Sequence, residues 1–310
     1  MLLVIATCFA MVSCGMSMDE VKERLSALEE EYEDRKDEKF SVEKAGKNEK
    51  KELVDDIEDE LDIKLEGEVI SVYAVEYASD EAPELQIAGN FLNNEKLTFN
   101  GTSWLAAKTL YWSEKPCDFY ALYPYQSLVS VEDHAFEIAT DQNSAKADGV
   151  LGGYEASDLL FAKAEKVAYS DGKVALQFKH MMSKCVVTIT KGEKFEGEIP
   201  DDIVTHIYNT ATSARLNFAN GSVEKDAMGA RKTITMKKLS NTRFEAVVVP
   251  QNIERRTPLI EVTMGGIAYL LEYSLSFKPG YVHTINLILN TSPDQEKIEI
   301  SIDASVGEMN

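Results

Sequence analysis

Four histidines and four cysteines are the side chains here best suited to nucleophilic, acid–base or metal chemistry, and their spacing decides whether they perform it. His134, His206 and His283 have no acidic or nucleophilic partner at a readable spacing. With Cys8, Cys14, Cys117 and Cys185 they form no CxxC, CxxH or HExxH arrangement. A zinc site, a disulfide framework and a metalloprotease therefore drop out of the leading readings. His180 follows Val174, Leu176 and Phe178 at every second position, which predicts a hydrogen-bonded core histidine. The carboxylates Asp55, Asp56, Glu58, Asp59, Glu60 and Asp62 lack the alternation and central glycine of a calcium loop and read as a solvated acidic face. The GVLGG run at 149–153 has neither the Lys-Ser or Lys-Thr nor the following helix of a phosphate loop, so it reads as a turn. Trp104, Tyr111, Trp112, Tyr120, Tyr123 and Tyr125 supply large flat faces. Core is their first reading, and a sugar-stacking platform with contacts at Trp104, Trp112 and Tyr125 is the second. No cofactor, metal or enzymatic activity is expected.

The elements that must position these residues follow from composition and period. The chain of 310 residues carries 53 acidic and 32 basic side chains, a formal net charge of −21, so a nucleic-acid phosphate backbone is an unsuitable partner. Only the run from Leu2 to Val12 is apolar, about half of the roughly 20 residues that a spanning helix needs. It reads as the core of an export signal, residues 1–14, and Met11-Val12-Ser13-Cys14 resembles a lipoprotein box with Cys14 as the acylated residue. That lipid would anchor the chain to the outer membrane. Residues 15–66 hold 20 acidic and 10 basic residues, half of the net charge. Val21, Leu25, Leu28 and Tyr32 predict a short amphipathic helix behind a Ser17/Glu20 capping box, and Val54, Ile57 and Leu61 a weaker helical pattern. This segment is read as an acidic helical stalk or pro-segment.

From Gly67 onward the apolar period changes from 3.6 to 2. Val174/Leu176/Phe178, Phe244/Ala246/Val248, the six alternate positions from Ile267 to Phe277, and Tyr281/His283/Ile285/Leu287/Leu289 each predict a strand with one buried face. Asn100-Gly101, Asp171-Gly172, Asn220-Gly221 and Pro279-Gly280 predict turns between strands. Cys185 alternates with Val187 and Ile189, which predicts a buried free thiol, a disulfide with Cys117 staying open as the alternative. The fold class is all-β: antiparallel sandwiches, an N-terminal one over 67–168 and a C-terminal one over 169–310.

Several stretches also match a known pattern in the right order. FNGTSWLAAKTLYWSEKPCDFYALYPY at 99–125, Asp141-Gln142, SDLLFA at 157–162, VALQFKHMMSKCVVTI at 174–189, VVVPQNI at 247–253 and the run from Gly266 to Tyr281 resemble the fimbrillin-like pilins of Gram-negative anaerobes. The resemblance spans roughly 60% of the chain. It implies two transthyretin-like β-sandwich domains and a cell-surface fimbrial subunit or accessory or tip pilin, with other fimbrial subunits and a host protein or glycan as partners. The acidic segment before Gly67 departs from the pattern, since family members usually carry a β segment there.

The resemblance further implies assembly by strand exchange after trimming by a trypsin-like protease. Arg35, in the charged stretch after the first helix, is the candidate cleavage point. Ile298, Ile300 and Ile302, continued by Ala304 and Val306, form an alternating run over 297–306 that is the candidate donor strand; the competing reading makes it the last strand of its own domain. A monomeric surface lipoprotein that binds glycan or host protein through the same fold is the alternative function.

Overall fold

The computed structural model describes residues 57–59, 67–147, 149–290 and 300–309, and within them the chain is nearly all β. Cys14, Arg35, Ile298 and the helix expected from Val21 to Tyr32 lie outside the described residues.

A six-stranded antiparallel sheet runs in the order β4 (Trp104–Ala106), β3 (Leu92–Phe99), β2 (Val69–Glu76), β5 (Cys117–Tyr123), β7 (Leu160–Val167) and β9 (Lys179–His180). It takes its last strand from beyond residue 168. All seven residues of β5 are buried, because both faces of the sheet are covered. On one face Ile70, Val72, Phe119 and Ala121 pack with Val174, Leu176 and Phe178. On the other, Tyr73, Tyr120 and Phe161 surround Phe218, with ring centroids 5.3, 5.9 and 5.6 Å away. Gly221 holds φ at +65° beside that cluster, and a Cβ there would meet the Phe161 ring at 2.2 Å, so the Asn220-Gly221 turn needs glycine on both counts.

A five-stranded sheet runs β15 (Lys237–Ser240), β16 (Arg243–Val248), β10 (Ser183–Lys191), β21 (Tyr281–Leu289), β22 (Ile300–Glu308), and a four-stranded one runs β14 (Arg231–Thr235), β11 (Val204–Ala211), β18 (Pro258–Met264), β19 (Ile267–Glu272). Cys185, Val187, Ile285 and Leu287 from the first and Ile207, Ile234, Ile260 and Val262 from the second belong to one buried core. Three small sheets complete the chain: β13 (Ser222–Lys225) with β12 (Ser213–Asn217) and β6 (His134–Glu137); β17 (Gln251–Asn252) with β20 (Ser276–Phe277); and β1 (Ile57–Asp59) with β8 (Val174–Leu176).

Four expectations are corrected. The sheets are not wholly antiparallel: β10 and β21 pair in parallel over eight residues, from Lys184 with Val282 to Lys191 with Leu289, an orientation that side-chain alternation does not encode. Residues 57–59, read as part of a weak helical pattern, form a strand parallel to β8, since pairing outweighs three apolar residues at helical spacing. The GVLGG run leads into a five-residue helix, α1 (Gly153–Ser157), whose first glycine is demanded by packing: a Cβ on Gly153 would lie 1.9 Å from the Asp141 carbonyl oxygen. Finally, β16 does not alternate. Glu245 and Val247 are as buried as Phe244, Ala246 and Val248, because Tyr154 of α1 reaches over Glu245 and the Gln142 side chain covers Val247.

Candidate assembly surface

β22 is the outer strand of the five-stranded sheet and therefore presents one unpaired backbone edge. Its register on β21 is uninterrupted over nine residues, from Leu289 opposite Ile300 to Tyr281 opposite Glu308, and Met309 N–H donates to the Gly280 carbonyl at 2.8 Å. Side chains are held much less well. Ile300, Ile302, Ala304 and Val306 stand opposite Leu289, Leu287, Ile285 and His283, which are all buried. Yet Ile300 and Ile302 are only half-buried, Ala304 is exposed and Val306 is 60% exposed. The apolar row of β22 thus continues the inward row of the sheet without an opposing layer over its second half. Two side-chain hydrogen bonds tie it laterally, Asn290 Nδ2 to Ser301 Oγ at 2.9 Å and Tyr281 Oη to Glu308 Oε1 at 3.4 Å.

Most of the other sequence-predicted residues among those described are buried in the core or tie strands together. Trp104 and Trp112 are 3% and 7% exposed, so they cannot offer a face to a sugar; they fill the core beneath the six-stranded sheet, Trp104 against Phe99 and Trp112 against Phe119. Tyr125 alone of the three proposed sugar contacts reaches the surface. Cys117 and Cys185 are free and buried in different core clusters, and burial pushes their thiols up to about 11 and about 12, so neither is a nucleophile at neutral pH. His180 Nδ1 lies 2.8 Å from Asp158 Oδ1 and fastens β9 to the segment entering β7. Burial lowers the pKa of His134, which meets Gln126 Oε1 at 2.9 Å, and of His283, whose Nε2 accepts the Lys278 N–H at 3.2 Å.

Sequence spacing missed three relationships. His206 does have an acidic partner: its Nδ1 is 3.3 Å from Glu261 Oε1, close enough for an ion pair though not aligned as a hydrogen bond, while Tyr208 donates to Glu261 Oε2 at 3.1 Å. The residues are cross-strand neighbours on β11 and β18, a relation visible only once the register is known. The other two are glutamines acting as substitute backbone. Gln142 exchanges two hydrogen bonds with the main chain of Val247, and Gln251 accepts the Ala211 N–H at 2.9 Å while donating to the Ala211 and Val249 carbonyls, each at 3.0 Å. Their place in Asp141-Gln142 and VVVPQNI was the only signal available. Among the described residues no group of three or more His, Cys, Asp or Glu is placed to hold a metal.

Comparison with known proteins agrees with this architecture. A curated Bacteroides ovatus protein, "Putative fimbrium tip subunit Fim1C", is 33% identical over 113 residues, which cover 32% of this chain and 20% of that one, so the chain matches about one fifth of that relative's length. The fold is shared with the crystal structure of a "putative cell adhesion protein" from Bacteroides uniformis, with TM-score 0.58, 22% identity, and coverage of 77% of this chain and 91% of that one. It is shared also with another so described from Bacteroides ovatus, with TM-score 0.61, 14% identity, and coverage of 84% and 97%. The model of the fimbrillin-like family matches residues 63–306, nearly the whole β body, and the chain belongs to that family.

Proposed function

We propose that this chain is a fimbrial subunit that joins its neighbours by donating residues 297–306 as a β-strand. A fimbrial, adhesion-type role at the cell surface accords with the family and with the adhesion proteins that share the fold, and both point to a structural rather than an enzymatic protein. The observation that carries the strand-exchange reading is the mismatch on β22. It has a full backbone ladder, but its apolar row is only half-buried at Ile300 and Ile302, which pack against the core, and is exposed at Ala304 and Val306. Seating such a row in the open sandwich of a neighbour would bury the part still exposed, at up to about 1.5–3 kcal/mol for a side chain as open as Val306 and less for the half-buried Ile300 and Ile302, and would replace the β21 ladder with an equivalent one. Exchange is then favoured by side-chain burial at nearly constant hydrogen bonding.

The full proposal has Cys14 acylated and anchored in the outer membrane, a proteolytic cut at Arg35 that opens an acceptor site, two transthyretin-like sandwich domains, and strand donation between subunits. Deleting Lys297 to Asn310 tests it. Loss of the heat-resistant ladders that form after limited trypsin treatment, with the thermal transition of the body retained, is the expected result. Ladders of undiminished length from the deleted chain would remove the donor role.

A further inference from the structure

Sulfur is the side-chain element most readily oxidised, and all but one of the sulfur atoms among the described residues are shielded from solvent to some degree. Cys117 and Cys185 are buried, and burial pushes their thiols up, away from the thiolate form that oxidants attack. Met181, Met182, Met236 and Met264 are each no more than 6% exposed and belong to the core shared by the five- and four-stranded sheets. Met309 is half-buried. Met228, by contrast, is 91% exposed, more than any other large apolar residue among those described.

The turn between β13 and β14 sets that exposure. Met228 N–H donates to Asp226 Oδ1 at 2.9 Å, and Gly229 N–H donates to the Asp226 carbonyl at 3.0 Å. Asp226 is held in turn to β12: its N–H donates to the Ser213 carbonyl at 3.0 Å, and Arg215 Nε donates to its Oδ2 at 3.1 Å. Gly229 fits closely, since a Cβ there would lie 3.1 Å from the Asp226 carbonyl oxygen. These bonds fix the main chain of the turn and point the Met228 side chain into water, where the thioether contributes almost no buried surface. Changing its chemistry therefore costs the fold little.

We infer that Met228 is the oxidation site of the folded chain, with small peroxides as the class of oxidant it takes. A lone pair on Sδ attacks one peroxide oxygen, the O–O bond breaks, and the departing hydroxide removes the proton left on the transferred oxygen and leaves as water. Sulfur gives up two electrons and gains one oxygen, and the peroxide is reduced by the same two electrons. The product, methionine sulfoxide, turns an apolar tip into a polar and chiral one without touching the core. A core methionine is out of reach of the oxidant, and an oxygen added there would be buried without a hydrogen-bond donor. Because a thioether does not titrate, the reaction at Met228 is indifferent to pH over the range in which thiolates form.

Timed exposure of the full folded chain to hydrogen peroxide, followed by quenching and tryptic peptide mapping, tests this assignment. Cleavage after Lys225 and Arg231 isolates Met228 in residues 226–231, while Met181 with Met182, Met236 and Met264 fall in three other peptides. The Met228 peptide should gain its oxygen at least about tenfold faster than those three, equally fast at about pH 5 and about pH 8, and the difference should vanish in concentrated urea. The thermal transition of the chain oxidised at Met228 should match that of the parent. Oxidation of a core methionine, Cys117 or Cys185 at the pace of Met228, a difference that persists in urea, or a transition lowered by the Met228 sulfoxide alone overturns the assignment. Strand exchange plays no part in this measurement, so its outcome is independent of the assembly reading.

Discussion

The side chain of Gln142 completes the hydrogen bonding of Val247 across 105 residues of sequence: Nε2 donates to the Val247 carbonyl at 2.8 Å and Oε1 accepts its N–H at 2.7 Å. Both residues are fully buried, so the amide acts as one rung of a strand where no strand is present. Gln142→Leu should cost about 2–4 kcal/mol, because it leaves a buried N–H and C=O without partners. Gln142→Glu keeps the acceptor for the Val247 N–H but turns a second oxygen, in place of the donor, toward the Val247 carbonyl, and is expected to cost at least as much. Urea denaturation of the two variants against the parent measures the effect; a loss under about 0.5 kcal/mol for Gln142→Leu would mean that water replaces the amide freely.

Trp104 and Trp112 should behave as core residues and not as ligand contacts. Trp104→Ala is expected to lose about 3–5 kcal/mol of stability, within the usual range for removing a buried tryptophan. Trp112→Phe, which keeps an aromatic ring against Phe119, should cost far less than Trp112→Ala. Thermal denaturation separates these outcomes, and near-identical transitions for parent and Trp104→Ala would contradict the packing described.

Acid should weaken the fold in two stages. His134 and His283 are held neutral by burial, with Lys278 adding repulsion at His283, so their folded pKa values lie below the unfolded value of about 6.5. Between those values the unfolded chain binds more protons than the folded one, so stability is full above about pH 6.5 and falls as pH drops below it, by at most about 1.4 kcal/mol per pH unit for each histidine. Glu155 and Glu245 act lower. Burial raises both, but hydrogen bonds from Lys237 to Glu155, and from Lys184 and Arg243 to Glu245, outweigh it, so their contribution is present above the usual carboxylate range and is lost beneath it. Urea titrations at intervals from pH 8 to pH 4 check this, as does His283→Gln, which should flatten the first stage. Stability that rises from pH 6.5 to pH 5.5 would contradict the sign.

Ellman's reagent should find Cys117 and Cys185 unreactive in the folded chain and fully reactive in denaturant, since burial suppresses both thiolates. Rapid labelling of either thiol in the native state would place it at the surface.

The sequence showed strands and turns more clearly than their pairing. Alternation at Val174, Leu176 and Phe178 marked a buried face, and Gly101, Gly172, Gly221 and Gly280 all adopt positive φ at the expected turns. Alternation failed at Phe244–Val248, where a second layer buries the face that should have met solvent, and it could not reveal that β10 and β21, about a hundred residues apart, run in parallel. The aromatic run at 99–125 was legible as core at Phe99, Trp104, Trp112, Phe119, Tyr120 and Tyr123, while Tyr111 and Tyr125 reach the surface. The contact of Lys146 with Glu68 was not, because the two lie 78 positions apart and meet only once the start of β2 and the turn before α1 are brought together. Likewise Ile300 and Ile302 could be picked out as an alternating run, but the uncovered state of that row is a property of the sheet opposite it.

Thr284 and Ser305 stand opposite each other on β21 and β22, and a disulfide between them tests strand donation most directly. Thr284→Cys combined with Ser305→Cys, oxidised in the folded monomer, fastens β22 to its own sheet, while the buried Cys117 and Cys185 stay out of the exchange. After trypsin treatment the oxidised variant should remain monomeric, and reductant should restore ladders to the length seen with the parent chain. Ladders formed equally well with the disulfide intact would show that β22 never leaves its own domain, and the account of assembly given above would be wrong.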